Sequence, residues 1–97
     1  MIKPDEYEIV GGWIKSGDRI VGDKACERVH RFTEDGYLAK LGTDSSGWET
    51  LFRDPNDGRY WERTYPHSEM HGGGPPALLN LTETQARDRY PHLFENE

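Results

Sequence analysis

The sequence predicts a small α+β protein in which two helices pack against an antiparallel β-sheet. Three observations predict this class. Stretches typical of strands fill residues 37–65, helical periodicity occurs on both sides of them, and a strong turn sequence separates two of the strands. A chain of 97 residues has room for one domain, which we expect to span residues 1–97.

The N-terminal part predicts a short β-hairpin. Residues 1–8 are polar and predict no regular element. The segment Ile9–Val21 then contains two apolar stretches, IVGGWI and RIV, separated by the turn sequence KSGD. Gly11 and Gly12 predict a bend before Trp13. We therefore expect a short hairpin within this segment, and this hairpin could extend the sheet.

A first helix is predicted over Lys24–Glu34. Asp23 precedes it and can cap its N-terminus by accepting a hydrogen bond from a free backbone N–H. Ala25, Val29 and Phe32 follow with the spacing of residues on one helix face. We expect this face to pack on the sheet.

The central part of the chain predicts a meander of three strands. We expect the strands at residues 37–41, 48–53 and 59–65. The last two flank the sequence DPNDG at residues 54–58, in which proline presets φ for a type I turn and glycine can take the positive φ that closes the loop. A tight hairpin is expected there.

The C-terminal part predicts an irregular segment and a second helix. Residues 67–80 include HGGGPP, and three glycines followed by two prolines fit neither a helix nor a strand. The helix is predicted to begin at Thr82, because Thr82 and Gln85 have the spacing of a capping box. Pro91 is expected to end it.

Composition and charge indicate an aromatic core and a protein partner. Three Trp, five Tyr and three Phe supply large areas for burial. Eighteen acidic residues against twelve basic ones give a net charge of −6, which disfavours nucleic acid and anionic membranes and favours a basic protein. Because Cys26 is the only cysteine, no internal disulfide can form. We expect Cys26 to lie in the core. With no signal-peptide or membrane-spanning run, we expect a cytoplasmic location.

Catalysis is the first alternative. His67, Glu69 and His71 alternate along one segment and could bind a metal ion, which would make the chain a small metal-dependent hydrolase. Their spacing matches no established zinc pattern, so we expect no cofactor. The HGGG string lacks the lysine of a phosphate-binding loop, and no G-x-S-x-G motif accompanies it. A binding protein is therefore expected rather than an enzyme.

Surface recognition is the function that these observations favour. Aromatic residues crowd onto two neighbouring predicted strands, and we expect one sheet face to expose rings interleaved with charges, as interface hot spots do. The alternative, in which a second layer buries both faces, stays open. The expected aromatic anchors and charged contacts are Tyr60, Trp61, Glu49, Asp57, Glu62 and Glu69.

Four motifs lie between Ser46 and Pro76. They are Gly47-Trp48, the turn sequence DPxDGR at residues 54–59, Trp61-Glu62, and Tyr65-Pro66 followed by His71-Gly72-Gly73-Gly74-Pro75-Pro76. Together they resemble the immunity protein 27 family of bacterial polymorphic toxin systems, and weaker similarity covers most of the chain.

The resemblance implies a non-catalytic cytoplasmic protein encoded next to a toxin. Such a protein binds the cognate toxin domain and covers its active site or locks it. The toxins of this family are thought to include nucleases, whose basic clefts would suit an acidic binder. A regulatory module of some other cytosolic complex stays open as the second alternative.

Overall fold

The computed structural model describes residues 2–66 and 74–94. Within these residues the chain forms seven strands and two α-helices, followed by a short 3₁₀ helix. In chain order the elements are β1 Glu8–Val10, β2 Trp13–Ser16, β3 Arg19–Gly22, α1 Lys24–Glu34, β4 Ala39–Thr43, β5 Thr50–Arg53, β6 Tyr60–Thr64, β7 Ala77–Leu81, α2 Glu83–Arg89 and the 3₁₀ helix Pro91–Leu93.

The predicted α+β class is confirmed. Five antiparallel strands form a sheet in the order β1-β7-β6-β5-β4, and β2 and β3 form a separate two-stranded ribbon. The predicted meander is the β4-β5-β6 part of the sheet. Strand β5 begins later than predicted, because a carboxylate oxygen of Asp44 accepts hydrogen bonds from the backbone N–H groups of Ser46, Gly47 and Glu49 and holds these residues in a loop.

The local predictions are confirmed where a cap or a turn residue determines the backbone. Helix α1 spans the predicted residues, and the side chain of Asp23 accepts a hydrogen bond from the Cys26 N–H at 2.9 Å. Thr82 and Gln85 form the complete capping box of α2. Gly58 closes the DPNDG turn at a φ of 79°. In each case the signal lies within a few residues along the chain.

The pairing of two strands of the sheet was not predicted. The expectation of irregular structure through residue 80 is wrong, because Ala77–Leu81 forms β7 in the interior of the sheet. Strand β7 pairs with β6 on one side and with β1 on the other, where Ile9 lies opposite Leu78. Both pairings join distant parts of the chain, so no local pattern indicates them.

Both faces of the five-stranded sheet are covered, which is the alternative that the sequence left open. Helix α1 and the N-terminal residues cover one face. The buried residues of this layer are Ile2, Ile9, Val29, Phe32, Leu38, Phe52, Trp61 and Leu78. Helix α2 and the 3₁₀ helix cover the other face, where Leu51, Leu81, Ala86 and Tyr90 are buried.

The N-terminal segment is held against the first layer by two arginines. Arg28 donates two hydrogen bonds to the Glu6 carboxylate, each at 2.9 Å. Arg59 donates to the backbone carbonyls of Lys3 and Glu6, and Ile2 is 2% exposed. The hydrogen bonds from Arg28 lower the pKa of Glu6 from 4.5 to about 2. The segment is thus an ordered part of the fold although its sequence is polar.

A close contact at Gly11 determines how the ribbon joins the rest of the protein. A Cβ at this position would lie 2.5 Å from the carbonyl oxygen of Pro76 and 2.7 Å from Sγ of Cys26. Neither neighbour can move easily, since one is backbone and the Cys26 thiol donates a hydrogen bond to the Gly12 carbonyl at 3.1 Å. Gly11 therefore permits an approach that any side chain would prevent.

We expect Gly11→Ala to lower the free energy of unfolding by about 1–3 kcal/mol, because the added methyl group must displace packed atoms. Chemical denaturation followed by circular dichroism measures this effect. Gly12→Ala is the matched control, since its Cβ would meet no backbone atom and only the Asp23 side chain, whose Oδ2 would lie 2.9 Å away, and we expect a smaller loss. Unchanged stability of Gly11→Ala would contradict the packing argument.

Candidate functional site

Trp61 and Glu62 lie inside the protein, so the expectation that they form an exposed patch is corrected. Their exposed fractions are 0% and 2%. Successive residues of a strand point to opposite sheet faces, and both faces are covered here. Trp61 therefore enters the layer under α1, whereas Glu62 points to the layer under α2. Neither side chain is available to a partner in this fold.

The Glu62 carboxylate connects the sheet to α2. The Tyr90 hydroxyl donates a hydrogen bond to it at 2.9 Å, and Arg89 donates another at 2.7 Å. Burial raises the pKa of Glu62, although the bonds from these two residues oppose the shift. Burial and the Glu62 hydrogen bond also raise the pKa of Tyr90. This arrangement is a structural ion pair rather than a contact site.

Asp57 and Tyr60 are also engaged within the chain. The Asp57 carboxylate accepts hydrogen bonds from the side chain of Arg59 at 2.7 Å and from its backbone N–H at 3.0 Å. Burial opposes ionisation of Asp57, but these hydrogen bonds outweigh it and lower the pKa. Tyr60 is half-buried with its ring 5.7 Å from that of Phe94. Both residues keep only part of their side chains at the surface.

Trp48 and Tyr65 form an aromatic surface on the α1 side of the sheet, in which Trp48 is exposed and Tyr65 is half-buried. Their ring centroids are 6.1 Å apart with the planes at 80°, and Trp48 is 59% exposed. The Asp44 loop described above precedes Trp48 and presents its ring to solvent. Glu49 follows directly and is half-buried. Of the six predicted contacts, Glu49 directly follows the exposed Trp48 in sequence, but its side chain lies on the α2 side of the sheet, where one carboxylate oxygen is buried and its charge helps to raise the pKa values of Glu62 and Tyr90.

A groove of about 420 Å³ connects the aromatic surface to the ribbon. Its lining includes Tyr65, Trp13 of β2, and the polar residues Glu27 and His30 of α1. The aromatic surface and the ribbon therefore belong to one continuous side of the molecule.

The ribbon itself carries apolar side chains that sequence reasoning did not select. Ile20 is 70% exposed, Ile14 is 53% exposed and Trp13 is 36% exposed. The pattern IVGGWI predicts a strand but does not tell whether another layer covers it. The signal that could have identified these residues is the pair Gly11-Gly12, which separates β2 from β1 and prevents a continuous strand.

The metal-site alternative gains no support from the described part of the chain. Within residues 2–66 and 74–94, no group of three or more His, Cys, Asp or Glu side chains could hold a metal ion. His67, Glu69 and His71 lie outside the described residues, and so does the predicted contact role of Glu69. In the same described part, no helix has the length and apolar character needed to cross a membrane.

Exposed rings and aliphatic side chains beside a well-packed core are typical of a protein-binding domain. Comparison with models of protein families identifies the family to which this domain belongs. The family model described as Immunity protein 27 matches residues 15–82, well over half of the chain. The chain therefore belongs to the immunity protein 27 family, as the sequence motifs indicated. No curated protein and no solved structure matches it significantly.

Proposed function

We propose that this chain is an immunity protein that binds the cognate toxin domain encoded beside it and neutralises that domain. The observation that carries the proposal is the family match over residues 15–82. In this proposal the chain acts in the cytoplasm as a stoichiometric binder without catalysis of its own. It occludes the toxin's active site, and neither nucleic acid nor a membrane is its partner.

The charge of the chain supports a basic toxin domain, such as a nuclease. A net charge of −6 would attract a basic cleft over distances of about 10 Å at moderate salt and would speed encounter. We propose that the rings of Trp48 and Tyr65, on the α1 side of the sheet, contact the toxin. The exposed ring of Trp48 and the half-buried ring of Tyr65 supply apolar area for this contact.

Titration of the toxin domain with the purified chain tests this proposal. Toxin activity should fall linearly and vanish at a molar ratio of 1:1, and co-expression of the chain should restore growth of a host that makes the toxin. We expect Trp48→Ala to raise the dissociation constant on the order of tenfold. Tyr7→Ala is the control, because Tyr7 is 64% exposed and lies in the N-terminal segment, away from the aromatic surface. Toxin activity that persists with excess folded chain would refute the proposed function.

A further inference from the structure

The ribbon formed by β2 and β3 is a separate element with a fixed base. No strand of the five-stranded sheet is hydrogen-bonded to it, and a two-stranded hairpin alone is marginally stable in water. At its base, the Gly12 carbonyl accepts hydrogen bonds from the Asp23 N–H at 2.9 Å and from the Cys26 thiol at 3.1 Å. The start of α1 therefore holds the ribbon in a defined position.

Both faces of the ribbon present apolar side chains to solvent. Cross-strand pairing joins Lys15 to Ile20 and Ile14 to Val21. Because directly paired residues share a face and successive residues alternate, Ile20 and Ile14 lie on opposite faces. Their exposed fractions of 70% and 53% are high for isoleucine in a strand. A ribbon that is apolar on both sides is suited to insertion between two walls of a partner.

The charge of the ribbon differs from that of the whole chain. It carries Lys15 and Arg19 against Asp18 alone, whereas the chain has a net charge of −6. The ribbon therefore contributes little to the long-range attraction of a basic partner. Its two cations complement carboxylates at close range, while its isoleucines complement an apolar wall.

We propose that the β2–β3 ribbon inserts Ile14 and Ile20 into an apolar groove of the cognate toxin domain, with carboxylates of the toxin at the groove rim. This inference rests on the proposed function and assigns different tasks to two parts of the chain. The net negative charge of the chain sets the association rate through electrostatic attraction, whereas the ribbon sets the dissociation rate through apolar burial.

Binding kinetics of the double variant Ile14→Thr/Ile20→Thr test the inference. Threonine keeps the β-branched shape that strands favour but removes apolar surface. The probe is the catalytically inactivated toxin domain from the neighbouring gene. We expect the dissociation rate to rise about tenfold or more, with the association rate within about twofold of that of the unmodified chain. Val10→Thr is the matched control, since Val10 is 48% exposed on β1, outside the ribbon, and should leave both rates unchanged.

Two further measurements make the result decisive. Amide hydrogen exchange of the unmodified chain should slow in the ribbon when the toxin domain is bound, which supports the inference even if the double variant does not fold. Raising the salt concentration should lower the association rate of the unmodified chain and of the double variant alike.

The outcomes separate the inference from the proposed function. If the unmodified chain neutralises the toxin and the double variant dissociates equally slowly, the ribbon is not the anchor and the inference fails alone. If the unmodified chain neither binds nor neutralises the toxin, the proposed function fails. If sedimentation shows that the chain dimerises through the ribbon and that the toxin binds elsewhere, a second copy is the occupant and the inference is overturned.

Discussion

Trp61→Ala is expected to lower the free energy of unfolding by about 3–5 kcal/mol, the cost of removing a large aromatic side chain from a packed core. Trp61 is 0% exposed and packs with residues of both α1 and the sheet. The guanidinium carbon of Arg59 also lies 4.9 Å from its ring centroid. Since a domain of this size has about 5–15 kcal/mol of total stability, we expect a large loss of folded protein at 37 °C.

Urea denaturation followed by far-UV circular dichroism measures the effect of Trp61→Ala independently of tryptophan fluorescence. Trp48→Ala is the matched control, because it removes the same side chain from an exposed position and should cost no more than about 1.5 kcal/mol, the value of an aromatic pair. A Trp61→Ala variant that is as stable as the unmodified chain but no longer binds the toxin domain would show that Trp61 acts at the interface.

Glu62→Ala is expected to lower the free energy of unfolding by about 2–4 kcal/mol. The substitution leaves the hydroxyl of Tyr90, a residue that is 0% exposed, without its hydrogen-bond acceptor, and it creates a cavity between β6 and α2. Adding Tyr90→Phe should recover part of the loss, because the unsatisfied donor is then removed. If the double variant is less stable by the full sum of the two single effects, the two side chains are not coupled.

Glu62→Gln tests the electrostatic part of the same contact. Burial raises the pKa of Glu62 above its usual 4.5, so above pH 4.5 the folded state keeps a proton that the unfolded state has lost. The stability from this group is fully present below that pH and decreases as the pH rises through the raised pKa. Glutamine does not titrate. The free energy of unfolding of the unmodified chain, minus that of Glu62→Gln, should therefore fall with rising pH.

Denaturation midpoints at several pH values above 4.5 measure this difference. Glu6, Asp23, Asp44 and Asp57 have lowered pKa values, so the stability they contribute is lost only as the pH falls below their usual values. Their titration is also common to both proteins and cancels in the comparison. A difference that stays constant or rises with pH would contradict the raised pKa of Glu62.

The site illustrates what a single sequence does not reveal. The sequence predicts strands at three aromatic or charged residues, Trp48, Trp61 and Glu62. Of these three, only Trp48 is exposed. The burial of the other two depends on α1 and α2, which cover opposite faces of the sheet. Alternation along a strand predicts that successive residues differ in direction, but it does not predict whether either direction meets solvent.

The sequence by itself determined the local elements and the family. The helix caps, the turn and the bounds of α1 could be predicted, because each depends on residues only a few positions apart in the chain. These residues are Asp23, Gly58, Thr82 and Gln85. Only the tertiary structure decided that β7 lies between β1 and β6, that both sheet faces are covered, and that the ribbon remains exposed. These features depend on contacts between residues that are far apart in the chain. The free energy of such contacts cannot be inferred from any short stretch of sequence.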